Sequence, residues 1–355
     1  MNPAKQVPSS QDSAPVENMV SRRDAIRAAV TSLAVVSSAR PLSAAPLPAQ
    51  DSAATTESAI PIVDTHQHLW DLKQLSLPWL SGAPEILSHS YGPAEYATAT
   101  AGLGIAQAVY MEVDCAETDQ AKEADSLIAL CRAKSSPTVG AVISGRPASE
   151  SFASYIRGYS RSPEIKGVRQ VLHAPLATKG YCLQPQFVTS MNLLGELGLS
   201  FDLCMRPGEL SDGLALAKKC PKTRFVVDHC GNAQPDAFLP EKLRKSPAEH
   251  DAEQWKRDIL ALAECDNVIC KISGVIAAAP KGVPYVESLQ GIVNHCLNAF
   301  GPDRVVFGGD WPVCLLGGSY RDWVLTLRQI VAERPVSDQQ KLWHANARRF
   351  YRIEA

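Results

Sequence analysis

Short apolar runs rich in β-branched residues recur along the chain from residue 60 onward. Eight of them predict strands, over Ile60–His66, Ile105–Asp114, Thr138–Ser144, Ile165–Leu172, Leu199–Arg206, Thr223–His229, Asn267–Ser273 and Arg304–Asp310. Several of these runs are almost continuously apolar, which is typical of parallel strands that are buried on both faces.

Segments with helical spacing separate the strands. The clearest predict helices over Glu117–Ala133, Phe187–Leu197, Gly208–Lys219 and Glu253–Cys265. A strand alternating with a helix eight times over roughly 250 residues predicts a (β/α)8 TIM barrel, an α/β fold. The alternative is an open doubly wound sheet, but no glycine-rich dinucleotide turn follows the first strand.

The first 59 residues differ from the rest of the chain. The pair Arg22-Arg23 precedes a short, mildly apolar run over 28–36, and small residues follow at 43–45, so residues 1–45 resemble a twin-arginine signal peptide. The apolar run is too short for a stable membrane span. We therefore predict a signal over 1–45, a linker over 46–59, a barrel domain over 60–355, and export to the periplasm or the medium. The alternative is a disordered tail on a cytoplasmic protein.

Composition narrows the class of partner. The chain has 355 residues, 45% of them hydrophobic, and a formal net charge of -2. Such a chain buries a substantial core, and its charge gives no reason to expect a nucleic acid or an anionic membrane as partner. We expect a small polar molecule as partner instead, and the sequence leaves open whether the protein forms a homo-oligomer.

No pair among the ten cysteines has zinc-knuckle spacing, and Cys204, Cys230 and Cys270 lie in or beside apolar strands, which predicts buried thiols.

Polar residues gather where the predicted strands end. His66 and His68 are two positions apart, so a strand projects both from the same face. In a (β/α)8 barrel the catalytic residues lie at the carboxyl ends of the strands. The later strands end in Glu112, Arg169, His173, Arg206, His229, Lys271 and Asp310. Their number predicts a catalytic site at this end of the barrel.

Four ordered motifs resemble a known family. They are Val63–Trp70, Phe225–Gly231, Cys270–Gly274 and Val306–Cys314, and the closing segment Asn346–Tyr351 agrees with them. They are similar to the amidohydrolase superfamily, and more closely to its sugar lactonase-like branch, which holds L-fuconolactonase, L-rhamnonolactonase and 2-pyrone-4,6-dicarboxylate lactonase. The likeness covers about residues 60–353.

The resemblance implies a water-activating site. His66, His68, His229 and Asp310 match positions that bind metal in relatives, and Asp310 also matches the residue that takes a proton from water. Imidazoles and a carboxylate suit a single Zn²⁺, which lowers the pKa of bound water. The fourth strand lacks the lysine that bridges two metals in other members. In a metal-free version, the three histidines, with His229 among the catalytic groups, donate hydrogen bonds to the carbonyl oxygen while Asp310 acts as general base.

A second set of residues is predicted to bind substrate. It comprises Arg169, Arg206, His173, Trp70, Trp311 and Glu112. An arginine presents a planar fork to carboxylates or hydroxyls, although an internal ion pair is the alternative. The tryptophans either stack on a sugar ring or pack under the loops, and Glu112 is an extra ligand candidate. Lys271 either enters the pocket or joins a buried ion pair.

These observations predict a hydrolase that opens the lactone ring of a sugar acid or a similar polar acid. The alternative is a metal-dependent decarboxylase or hydratase of the same superfamily, acting on a small carboxylic acid. A sugar-binding protein without catalysis is disfavoured, because His66, His68, His229 and Asp310 are all present.

Overall fold

Eight parallel strands form the centre of the molecule. The computed structural model describes residues 60–174, 177–244 and 247–354. The strands pair in chain order from first to last. They are β1 Ile62–Gln67, β2 Ile105–Met111, β3 Thr138–Ser144, β4 Ile165–Val171, β5 Ser200–Cys204, β6 Arg224–Val227, β7 Val268–Ile272 and β8 Val305–Phe307. The predicted (β/α)8 barrel is therefore confirmed.

Helices connect the strands and cover the outside of the sheet. They are α1 Pro93–Thr100, α2 Gln120–Ala133, α3 Phe152–Tyr159, α4 Pro185–Glu196, α5 Leu210–Lys219, α6 Ala252–Ala263, α7 Tyr285–Phe300, α8 Tyr320–Ile330, α9 Val336–Gln340 and α10 Asn346–Tyr351. A π-helical turn, Lys341–Ala345, joins the last two. The four helices predicted from the sequence are all present. None of the helices in the described ranges is both long and apolar enough to cross a bilayer.

Six of the eight strands end earlier than the sequence predicts, whereas β1 ends one residue later and β3 ends as predicted. β2 stops at Met111 rather than Asp114, and β8 stops at Phe307 rather than Asp310. Both aspartates have positive φ, 48° and 54°, and a left-handed residue cannot continue a strand ladder. The polar residues therefore lie just beyond the sheet, at its carboxyl edge.

The barrel closes between its first and last strands at this same edge. The amide of Asp310 donates to the carbonyl of His66, and the amide of His68 donates to the carbonyl of Trp311, both at 2.8 Å. A bridge between Gln67 and Trp311 completes the seam. Closure of the sheet therefore brings His66 and His68 next to Asp310.

The two ends of the barrel interior differ in polarity. Near the amino ends of the strands the interior is apolar, with Val63, Val226, Ile269 and Val306 packed against Ala347 of α10. Beyond this layer, toward the carboxyl ends, the interior also holds charged side chains and histidines. The polar groups of the barrel interior therefore lie toward the carboxyl ends of the strands.

Candidate active site

Three imidazoles surround one carboxylate at the carboxyl end of the barrel. The Oδ1 atom of Asp310 lies 3.4 Å from Nε2 of His68, 3.7 Å from Nε2 of His66 and 4.0 Å from Nε2 of His229. All four side chains are buried. The second oxygen of Asp310, Oδ2, is also buried and has no hydrogen-bond partner among the described residues. The structure thus brings together the four residues predicted for the site.

The contacts of His66 and His68 fix which ring nitrogens carry protons in the neutral form. Nδ1 of His68 lies 2.9 Å from the carbonyl oxygen of Met111, which can only accept, so this nitrogen donates. Nε2 of His66 lies 3.3 Å from the guanidinium of Arg169, which can only donate. Burial, followed by the charge of Lys271, lowers the pKa of His66 well below its ordinary value. When either ring is neutral, its unprotonated nitrogen is therefore Nε2, the atom that faces Asp310.

The side chain of Asp310 is held as a carboxylate. Burial alone raises the pKa of a carboxyl group, but the imidazole of His229, followed by those of His68 and His66, brings the pKa of Asp310 below its ordinary value. An ionised carboxylate with one free oxygen is suited to accept a proton.

His229 occupies a strained turn after β6. Residues His229–Asn232 form one left-handed turn, with φ between 51° and 68° at each residue. Left-handed backbone costs roughly 1–2 kcal/mol per residue for residues other than glycine. The neighbouring segment fits closely around it, because a Cβ atom on Gly274 would lie 2.2 Å from Nδ1 of His229. Strain of this kind is common where a fold must hold a functional side chain.

A buried carboxylate that sequence reasoning missed supports the Asp310 loop. Oδ1 of Asp64 accepts the amides of Gly309 at 2.7 Å and His66 at 2.9 Å. Its Oδ2 accepts the hydroxyls of Tyr96 at 2.8 Å and Tyr320 at 2.9 Å. Asp64 therefore ties β1 to the loop after β8. An aspartate inside an apolar strand run was the available signal, since such a residue is rarely buried without partners.

Lys271 and two aspartates, whose pairing the sequence did not predict, form a charged layer below the histidines. Nζ of Lys271 lies 2.6 Å from Asp202 and 2.9 Å from Asp228, and all three side chains are fully buried. Of the two alternatives for Lys271, the structure shows the ion pair. Oδ1 of Asp228 lies 3.6 Å from Nδ1 of His66. The layer therefore places a negative charge behind the imidazole that contacts Asp310.

Arg169 and Glu112 are paired with each other. Nε of Arg169 donates to Oε1 of Glu112 at 2.7 Å, and Nη2 donates to the carbonyl of Glu112 at 2.7 Å. Both side chains are buried. Arg169 lies near the end of β4, and it places a fixed cation beside His66. The roles predicted for this pair in substrate binding stay predictions.

Arg206 holds a loop. Its guanidinium contacts Glu209 at 3.1 Å and donates to carbonyls of the segment after β4, those of Leu172, His173, Ala174 and Ala177. His173 is half-buried on the same segment. The structure brings Arg206 and His173 together, and their contact with a substrate stays a prediction.

Trp70 and Trp311 belong to a buried aromatic group. Tyr91 packs edge to face on both, with ring centroids 5.3 Å and 5.0 Å away, and the indole of Trp70 donates to the carbonyl of His89 at 2.6 Å. These contacts correspond to packing under the loops, the second alternative for these residues. Stacking on a sugar ring stays a prediction.

The geometry agrees with what comparison with known proteins shows. The family model described as Amidohydrolase matches residues 63–353. The chain belongs to this family. The amidohydrolase is 26% identical over 297 residues to L-fucono-1,5-lactonase of Burkholderia multivorans, an alignment that covers 82% of this chain and 96% of the relative. The predicted superfamily and the prediction of an enzyme are thereby confirmed.

Solved structures share the fold. An amidohydrolase of Burkholderia multivorans with bound zinc superposes with a TM-score of 0.71 at 22% identity, covering 83% of this chain and all of the other. A probable 2-pyrone-4,6-dicarboxylic acid hydrolase of Acinetobacter baumannii, with citric acid bound, gives 0.64 at 15% identity, with 82% and 99% covered. At these identities the likeness shows the (β/α)8 fold.

The donor atoms of this amidohydrolase fit a divalent metal. Two sets have their donor atoms within 4.8 Å of one another, namely His66, His68 and Asp310, and His66, Asp228 and His229. In the first set, two Nε2 atoms and a carboxylate oxygen converge, and with both rings neutral a cation between them is the group that stabilises this arrangement. Nδ1 of His68 donates to a backbone carbonyl, as in most metal-binding histidines. His66, His68 and Asp310 are therefore the residues suited to hold it.

Proposed function

We propose that this amidohydrolase opens the lactone ring of a sugar acid by attack of water. The observation that carries the proposal is the buried carboxylate of Asp310, which has one oxygen among three imidazoles and the other without a partner. A lactone is an activated ester, so a general base and a group that polarises the carbonyl are sufficient for its hydrolysis.

The proton path runs through Asp310. Its Oδ2 takes a proton from water as the water oxygen bonds to the carbonyl carbon. The ring carbon–oxygen bond then breaks, and Asp310 returns that proton to the leaving ring oxygen. The products are a hydroxyl group and a carboxylic acid, which ionises at neutral pH and releases one proton per turnover.

In this proposal the carbonyl oxygen of the substrate binds beside the imidazoles, where it develops negative charge. When bound at His66, His68 and Asp310, a divalent metal supplies polarisation of this carbonyl and a lower pKa for water. Arg169 adds a permanent positive charge next to His66. The Lys271 layer fixes Asp228 behind the same ring, which keeps His66 oriented.

The nature of the relatives supports a sugar lactone as substrate. The B. multivorans relative is named for L-fucono-1,5-lactone, and a further relative, 27% identical over 157 residues, is a 4-sulfomuconolactone hydrolase from Rhizobium radiobacter. Both names describe ring opening of a lactone. We extend this reaction, with a sugar acid lactone as substrate, to the present chain.

A proton-release assay tests the proposal. The panel contains 1,4- and 1,5-lactones of sugar acids, a pyrone carboxylate and an aromatic carboxylic acid, each with and without a chelator, and metal content is measured on the same preparation. We expect one proton per sugar lactone consumed. Loss of activity on chelation together with bound zinc supports the metal at His66, His68 and Asp310, whereas full activity after chelation supports the metal-free version.

The same panel contains the result that rejects the proposal. Release of CO2 from the aromatic acid, with no proton release from any lactone, would instead identify a decarboxylase. His66→Ala separates the two roles of this histidine. If His66 binds metal, the variant is expected to lose its bound metal. If His66 only donates a hydrogen bond, the metal content of the variant is expected to equal that of wild type.

A further inference from the structure

A carboxylate and a guanidinium form an ion pair just outside the catalytic group. Oδ1 of Asp114, after β2, lies 3.3 Å from Nη2 of Arg146, after β3. Their side chains remain 29% and 21% exposed, unlike the buried groups around Asp310. None of the steps proposed above uses this pair.

The position of Asp114 is specified by strained backbone. Its φ is 48°, and its amide donates to Oε2 of Glu112 at 2.7 Å. The other oxygen of Glu112 holds Arg169, which contacts His66. The carboxylate of Glu112 therefore holds both Asp114 and Arg169, and through Arg169 it links the position of Asp114 to that of His66.

Charged groups and an aromatic residue surround Asp114. Burial, followed by the charge of Glu112, raises the pKa of Asp114 to about 6, and the charges of Arg146 and Arg169 act in the opposite direction. The indole of Trp79 donates to the carbonyl of Val113 at 2.8 Å, so a half-buried aromatic ring lies next to the pair.

We infer that Asp114 and Arg146 form a hydroxyl-binding subsite, with Trp79 as its apolar wall, that selects neutral polyhydroxylated lactones. This inference rests on the proposed function. Nη1 of Arg146 donates to Ser144 and Gly145, and Nη2 donates to Asp114 and the carbonyl of Cys115, so Nε is the guanidinium nitrogen without an acceptor among the described residues. The carboxylate of Asp114 accepts a hydrogen bond from one hydroxyl of a vicinal pair, and Nε of Arg146 donates to its neighbour. An aromatic ring beside such a pair matches the alternation of C–H and O–H groups around a sugar ring.

Charge balance at this end of the barrel argues against a substrate with a second carboxylate. Each of the three arginines considered there has its own carboxylate partner: Arg146 has Asp114, Arg169 has Glu112 and Arg206 has Glu209. A substrate carboxylate would displace one of these partners or lie beside Asp114 with like charge. A hydroxyl makes the same hydrogen bonds without this cost.

The test compares substrates that share a ring and differ in hydroxyls. Wild type and Asp114→Asn are assayed on a polyhydroxylated 1,5-lactone and on unsubstituted δ-valerolactone. Asn tolerates positive φ, so the backbone of the loop is preserved. A hydrogen bond to a charged group contributes about 1.5–3 kcal/mol, so we expect KM for the hydroxylated lactone to rise about 10- to 100-fold with kcat little changed. The rise for δ-valerolactone is expected to be much smaller.

Two further variants keep the result interpretable. Arg146→Gln is expected to shift the preference in the same direction as Asp114→Asn. Glu164→Gln breaks the Arg132–Glu164 ion pair, 2.9 Å long, at the opposite end of the barrel, and is expected to leave the preference between the two lactones as in wild type. An equal change for both lactones in Asp114→Asn and Arg146→Gln would overturn the subsite.

Binding measurements separate the subsite from the proposed reaction. Calorimetry with a polyhydroxylated δ-lactam, which resists hydrolysis, and with unsubstituted δ-valerolactam reports affinity without turnover. We expect the hydroxylated lactam to bind more tightly to wild type, with this advantage lost in Asp114→Asn, even if no lactone is hydrolysed. Equal affinities for the two lactams in wild type reject the subsite, whatever the proton-release assay shows.

Discussion

The proposed chemistry of this amidohydrolase depends on a single oxygen atom of Asp310. Oδ2 is buried and unpartnered among the described residues, whereas Oδ1 lies among the imidazoles. We predict that Asp310→Asn lowers kcat by about 10²- to 10⁴-fold, the usual contribution of a general base. Steady-state assays with circular dichroism measure this. Asp258→Asn, which alters a buried aspartate on α6, is the control and is expected to keep wild-type kcat.

Gly274 tests how strictly His229 is positioned. Its φ is 69°, and an added Cβ would meet the imidazole of His229 at 2.2 Å. We predict that Gly274→Ala costs about 1–3 kcal/mol of stability and removes most of the activity, because His229 must move. Gly282→Ala is the control for backbone strain alone, because φ of Gly282 is 83° and no atom lies within 4 Å of the added Cβ. Urea unfolding and activity are measured for both; equal activities would contradict the positioning role.

The sequence is sufficient to predict residues whose role depends on their own strand. His66 and His68 follow from spacing two apart, and Asp310 follows from its place at the end of a strand. Asp64 and Asp202 were not assigned roles, and two alternatives stayed open for Lys271, because their partners lie on other strands or helices and pairing across a barrel depends on register. A charged residue inside an apolar strand was the only signal that they carried.

At the scale of elements, Glu123 links α2 to two strands. Its carboxyl accepts the hydroxyl of Tyr110 at 2.9 Å, the amide of Val113 at 2.9 Å and the amide of Ser144 at 3.4 Å. Burial, followed by the charge of Glu112, raises the pKa of Glu123 to about 7. The folded protein therefore keeps this proton at a pH where the unfolded chain, with an ordinary glutamate, has lost it.

This difference predicts a pH dependence of stability. Between about pH 4.5 and 7 the folded state binds more protons at Glu123, so the free energy of unfolding falls as pH rises, by an amount on the order of a few kcal/mol. Glu123→Gln cannot titrate, and we expect its unfolding free energy to fall less between pH 5 and pH 8. Urea denaturation at both pH values measures this, with Glu117→Gln as an exposed control. Parallel profiles for wild type and Glu123→Gln would refute the assignment.

The ends of elements were harder to predict than their existence. The hydrophobic pattern identifies β2 and β8, but it continues through Asp114 and Asp310, where the backbone has already become left-handed. Likewise, nothing in the letters His229–Asn232 indicates four successive residues with positive φ. These conformations are imposed by packing around the site, so local pattern does not encode them.

At the scale of the whole molecule, the amino-terminal segment carries a prediction of its own. Residues 1–59, which include the predicted signal and linker, lie outside the described residues. We propose export by a twin-arginine route and expect that replacing Arg22 and Arg23 with lysine retains the precursor inside the cell. Fractionation with an immunoblot measures this, and export at the wild-type level would contradict it.

The ten cysteines are all free in the structure, and nine are buried, as predicted for Cys204, Cys230 and Cys270.

The seam between β1 and β8 makes activity depend on completion of the chain. Asp64 and Gly309 are 245 residues apart in sequence, yet their hydrogen bond lies beside the catalytic group. During synthesis the amino-terminal strands leave the ribosome first. A fragment without β8 lacks Asp310, the proposed general base, however much of its sheet has formed. If Asp310 has this role, catalysis starts only when the last strand docks on the first, and turnover can serve as a readout of ring closure in folding experiments.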